Sequence, residues 1–113
     1  MKTLTLYTKP VVQNKKHTVA RGRMILSKEY REAKQALQWE VAAQWKGETM
    51  TEDGIAVNIL IYYKGRKPDI DAYEKILLDC MEGVTYKNDG LVDEKHTFRI
   101  KVEENPRVEI QIL

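Results

Sequence analysis

Ile55-Ala56-Val57-Asn58-Ile59-Leu60-Ile61-Tyr62-Tyr63 runs directly into Lys64-Gly65-Arg66-Lys67-Pro68-Asp69-Ile70-Asp71-Ala72-Tyr73-Glu74-Lys75. In the first part Ile55, Val57, Ile59, Ile61 and Tyr63 alternate with Ala56, Asn58, Leu60 and Tyr62. Both faces are largely apolar and rich in β-branched residues, which predicts a central strand covered on both sides. Gly65 and Pro68 punctuate the loop that follows. Near Asp71 the period changes. Tyr73, Ile76, Leu77, Cys80, Met81 and Val84 fit the i, i+3, i+4, i+7 template of a helix, which Gly83 closes. A strand therefore hands over to a helix through a junction that carries Lys64, Arg66 and Lys67 beside Asp69 and Asp71. Such a junction is exposed and lies next to a helix N-terminus.

Upstream, Thr3 to Tyr7 alternates with Leu4 and Leu6 on one face, a short strand that Lys9-Pro10 breaks. Arg21-Gly22-Arg23 reads as a turn between two short extended pieces, the second being Met24-Ile25-Leu26. Ser27 can cap a helix with Glu29 in its first turn. Tyr30, Ala33, Leu37, Val41 and Trp45 then recur at helical spacing until Gly47. Downstream of the turn at residues 85–90, Val92, Glu94, His96, Phe98, Ile100 and Val102 share one strand face. Val108, Ile110 and Ile112 form a last strand beyond Pro106. These two strands pair most simply as an antiparallel hairpin. The fold class is α+β: a single domain over residues 1–113, with a mixed sheet of about five strands and two helices packed on it.

A chain of 113 residues can bury a core. No apolar run approaches the roughly 20 residues of a membrane span, and no signal-peptide pattern opens the chain. Cys80 is the only cysteine and falls on the apolar stripe of the second helix, so it reads as a buried thiol in a protein suited to a reducing cytoplasm. The net charge of +2 hides an asymmetry: residues 1–28 hold seven basic groups and no acid, while the remainder holds 12 basic and 17 acidic groups. A basic arm on an acidic body points to a polyanion partner, or to an arm that folds back and neutralises the body.

Asp69 and Asp71, two residues apart in extended geometry, point to the same side. Two carboxylates about 4 Å apart repel by roughly 4 kcal/mol at an effective dielectric near 20. Asp89, in the turn Tyr86-Lys87-Asn88-Asp89-Gly90, would add a third. Such a cluster needs cations, and Mg²⁺ accepts one or two carboxylates together with waters and phosphate oxygens. Lys75 is then placed to neutralise charge developing on a phosphate. The same residues also fit local structure: Asp71-x-x-Glu74 resembles a capping box, and Asp89-Gly90 is a turn signal. His17 and His96 are isolated from each other and from any Cys-x-x-Cys, which argues against zinc. No nucleotide-cofactor fingerprint appears.

Lys67-Pro68-Asp69-Ile70-Asp71, then Lys75, Leu77-Leu78-Asp79, Gly83 and Asn88-Asp89 together resemble the RusA-type Holliday-junction resolvases. Lys9-Pro10, Asn14-Lys15, Arg21-Gly22-Arg23, Ser27-Lys28-Glu29-Tyr30 and Pro106-Arg107-Val108-Glu109-Ile110 extend the likeness over nearly the whole chain. The resemblance implies a homodimeric endodeoxyribonuclease that uses Mg²⁺ or Mn²⁺ to make paired, symmetric nicks in four-way DNA junctions during recombination and repair. It makes Asp69, Asp71 and Asp89 the metal-binding carboxylates and Lys75 an assisting cation. Asn14, Lys15, Lys16, Arg21, Arg23, Arg66 and Lys67 become the DNA-binding side chains. A cytoplasmic protein, often encoded by a phage or prophage, is what the family leads one to expect. Two departures stand out: Ala72 occupies a position where the family usually has Asn, and Asn88 one where it often has an acid. They leave open a non-catalytic or weakly active junction-binding protein on the same scaffold.

Overall fold

A computed structural model describes all 113 residues. The main sheet has four strands in the order β1 (Lys2–Leu6), β6 (Arg107–Ile112), β4 (Ile55–Tyr63) and β5 (Val92–Lys101). β1 and β4 flank β6 antiparallel, and β5 runs parallel to β4, so the sheet is mixed. α1 (Lys28–Gln44) packs on α2 (Glu74–Met81) and on β1. β2 (His17–Ala20) and β3 (Arg23–Leu26) form a separate antiparallel hairpin. The class is α+β as the sequence predicts, with the count of about five sheet strands resolved into four plus a two-stranded ribbon.

The core follows the alternation. Val57, Ile59 and Ile61 of β4 and Val108, Ile110 and Ile112 of β6 turn one face inward, where they meet Leu4, Leu6, Leu37, Val41, Ile76 and Leu77. The opposite face of β4 carries Asn58, Leu60 and Tyr62, which are only partly covered. The strand is central but buried on one side alone, because both helices pack on the same side of the sheet; the cross-strand Asn58–Gln111 hydrogen bond at 3.1 Å and Arg107 stacked over Tyr62 at 3.9 Å dress the other.

The hairpin expected between the last two strands does not form: β4 lies between them. β6 has the strict alternation and buried residues of an inner strand. β5 is amphiphilic on both faces, with Lys95, Thr97 and Arg99 level with the core residues Val57, Ile59 and Ile61, and it takes an edge where those polar groups reach solvent or partners. Phe98 is accordingly half-exposed.

Ser27 caps α1 as expected, its Oγ accepting from Tyr30 N at 3.1 Å and donating to Lys15 O at 2.7 Å. That second bond, with Ser27 N donating to Lys16 O at 2.8 Å, closes the base of the β2–β3 ribbon. At the other end Arg21 (φ 53°) and Gly22 (φ 73°) make a two-residue turn with both residues left-handed, the geometry that matches strand twist. No helix is long and apolar enough to cross a membrane.

Candidate functional site

β4 ends at Tyr63, six residues before Asp69, so the two aspartates do not lie on a strand end. Gly65 (φ 79°) turns the chain out of the sheet, and Pro68 precedes the acidic pair. Ala72 N donates to Asp69 O at 3.1 Å and Glu74 N to Asp71 O at 3.3 Å, two successive turns that delay α2 to Glu74. Asp71 therefore does not cap the helix, and the N-cap position, Tyr73, has no side-chain cap. Both aspartates are exposed, and neither side chain has a hydrogen-bond or ion-pair partner. Hard, uncommitted oxygen donors in reach of solvent are the donor type that a hydrated divalent cation accepts.

Lys75 stands in the first turn of α2 and bridges two acids. Its Nζ is 3.0 Å from Asp79 Oδ1, one turn on, and 3.4 Å from Asp89 Oδ2, at the start of the 3-10 turn Asp89–Leu91. Asp89 is set in place by its own N–H, which donates to Glu82 Oε1 at 3.2 Å. Within the single chain no three His, Cys, Asp or Glu side chains gather into a metal-ligand set; the structure joins Asp89 to Lys75 and leaves Asp69 and Asp71 on the neighbouring loop.

Asp79 anchors this arrangement. It is nearly buried, accepts from the Tyr30 hydroxyl at 2.5 Å, and lies 3.6 Å from Lys16 Nζ. Burial alone would raise its pKa, but the Tyr30 hydrogen bond, the Lys75 hydrogen bond and charge, and the Lys16 charge hold it below the usual carboxylate value. Lys75 is pushed up chiefly by its hydrogen bond to Asp79, against desolvation and with help from Asp89. Burial drives the Tyr30 hydroxyl up, and the Asp79 hydrogen bond adds to it. Sequence reading missed the role of Asp79 and Tyr30. The available signal was an acid inside the apolar stripe of α2, four residues after Lys75.

Part of the basic arm folds back on the body of the protein and part stays exposed. Lys16 folds back onto Asp79, and Lys2 stacks over Trp45 at 4.4 Å. Gln13 N donates to Ala72 O at 3.2 Å and so pins the 3-10 turn Gln13–Lys15 beside the acidic loop, with Asn14 and Lys15 exposed there. Arg21 lies in the turn of the exposed ribbon and Arg23 follows it, and the ribbon's Val19 and Met24 are 70% and 71% exposed. Arg66 and Lys67 are exposed in the loop before Asp69. None of Lys15, Arg21, Arg23, Arg66 and Lys67 is held in an ion pair.

Cys80, Tyr86 and Asn88 serve the structure. Cys80 is buried, and burial pushes its thiol up to about 12, so it is inert at neutral pH. Tyr86 is fully buried and donates to Leu78 O at 2.6 Å. Asn88 accepts from Gly90 N at 3.0 Å, a local cap on the 3-10 turn.

A family model described as endodeoxyribonuclease RusA matches residues 8–113. Among curated proteins nothing matches the chain.

Proposed function

The chain belongs to the RusA endodeoxyribonuclease family, and from that premise we propose that it is a divalent-metal-dependent nuclease that resolves four-way DNA junctions by paired, symmetric nicks. The observation that carries the reading is two exposed carboxylates without partners, Asp69 and Asp71, followed four residues after the second by Lys75, whose Nζ is held between Asp79 and Asp89. Asp69, Asp71 and Asp89 would hold Mg²⁺ or Mn²⁺. When bound, such an ion orients and polarises a phosphodiester and lowers the pKa of water. Lys75 keeps its proton because two acids surround it, and it offers that positive charge to a phosphate or departing oxygen. The exposed side chains of Asn14, Lys15, Arg21, Arg23, Arg66 and Lys67 contact backbone phosphates, which positions DNA without reading sequence. Lys16 serves the same face while neutralising Asp79.

A four-way junction has two-fold symmetry, so a two-fold homodimer offers one site to each of two equivalent strands. Cleavage of a labelled junction, with and without Mg²⁺ and beside linear duplex and forked controls, tests the whole reading. Symmetric nicks in the junction alone, dependent on metal, are the expected product. Tight binding without cutting would move the protein to the second reading, a binder on the nuclease scaffold. Two observations favour that reading: Ala72 contributes only backbone groups to the loop, and the Asn88 side chain is spent on Gly90.

The ribbon makes a separate prediction. Replacing Arg21 and Arg23 together with alanine should weaken junction binding and reduce the slope of log K against log salt by about two, one for each phosphate left without its arginine. An unchanged slope would remove the ribbon from the DNA interface.

A further inference from the structure

Beside the acidic loop, where the ends of β1 and β4 meet the start of β6, lies a cleft of about 200 Å³. Ile61 and Val108, whose side chains belong to the core, are among its lining residues. Tyr7, Tyr63 and Tyr73 stand around it, and Lys9, Lys64 and Arg66 ring it. Arg107 also lines the cleft but is already engaged: it stacks over Tyr62 and is paired with Glu109 at 2.8 Å. Lys9, Lys64 and Arg66 have no acidic partner. The wall reaches Pro68, the residue before Asp69.

We propose that this cleft takes one unstacked DNA base next to the acidic loop, with its flanking phosphates on Lys9, Lys64 and Arg66. A lining with apolar and aromatic side chains suits the face of a base, and every base has such a face, so the site is tolerant of sequence. Free cations at the rim suit the phosphates on either side. A base inside a duplex reaches it only after unstacking and unpairing, whereas an unpaired base at a branch point reaches it at least cost. The pocket thereby favours branched over linear DNA, and its wall delivers the adjoining backbone to Asp69. In naming branched DNA as the source of the base, this inference rests on the function proposed above.

The test uses the full chain in EDTA, titrated by fluorescence anisotropy with labelled hexadeoxythymidylate, with the same hexamer made abasic, and with unlabelled thymidine monophosphate as competitor. Junction cleavage in Mg²⁺ is measured in parallel. The hexamer should bind at least about fivefold more tightly than its abasic counterpart, the effect expected of stacking one base. Tyr7→Ala should erase that preference and Tyr7→Phe should keep it; Tyr7 is 66% exposed, so neither change endangers the fold. Lys64→Ala or Arg66→Ala should weaken both hexamers alike. Equal affinity for the normal and abasic hexamers overturns the pocket even if junctions are cut. A monophosphate that competes as well as the hexamer also overturns it, because the site would then be one for free nucleotides. A base preference without cleavage in Mg²⁺ leaves the pocket standing and overturns the nuclease.

Discussion

Asp71→Asn should leave folding and junction binding intact and reduce cleavage by at least about a hundredfold. The side chain is exposed and has no hydrogen-bond or ion-pair partner, so an isosteric amide should change stability by no more than about 0.5 kcal/mol. The change removes a negative charge from the surface proposed to face phosphate, so affinity should hold or rise slightly, most visibly at low salt. Cleavage is different. Even groups that merely orient a metal ligand cost about 10- to 100-fold when removed, and a ligand itself should cost more. Single-turnover cleavage of a labelled junction, with binding measured in Ca²⁺ or EDTA, separates the two effects. A variant that cuts at the native rate would remove Asp71 from the chemistry and with it the metal site as proposed.

The sequence made this residue visible because local pattern carries the information. A strand of period two breaks at Gly65, a helix of period 3.6 follows, and the acids fall between. Ser27 and its helix were legible for the same reason: an N-cap bond spans three residues. Legibility failed where partners are distant in sequence. Nothing near Val108 says that its strand neighbours are β1 and β4 rather than β5. That order depends on which strand best tolerates an edge, a comparison among all four. The start of α2 lies later than the sequence suggests because Asp71-x-x-Glu74 satisfies a capping rule that the chain replaces with two hydrogen-bonded turns. Asp79 is the clearest case. Its partners Tyr30 and Lys16 lie far upstream, and only the packing of α1 on α2 brings them to it.

Asp79→Ala should accordingly destabilise the fold by about 3 kcal/mol, with a fall in Tm of roughly 10 °C. The deletion strands the Tyr30 hydroxyl, on a residue only 1% exposed, at a cost of about 1–3 kcal/mol. It also leaves Lys16 and Lys75 facing each other without the acid between them; both reach solvent in part, so their share is smaller. Tyr30→Phe removes the hydroxyl and its need for a partner together. The cost of Asp79→Ala in that background should fall by at least about 1 kcal/mol, a coupling that urea unfolding of the four proteins in the cycle would measure. Additive costs would mean that the hydrogen bond contributes nothing. The pH dependence has a defined sign. Folding holds the Asp79 pKa below its unfolded value, so its stabilisation is complete above the ordinary carboxylate range and is lost as the pH falls through the folded-state value. Asp79→Asn should therefore flatten the acid limb of the stability curve while keeping most of the packing. It should also slow cleavage, because Lys75 loses the carboxylate charge that helps hold it in place beside Asp89. In a Lys75→Ala background the same substitution should slow cleavage no further, and an additional loss there would mean that Asp79 acts on the reaction by a route other than Lys75.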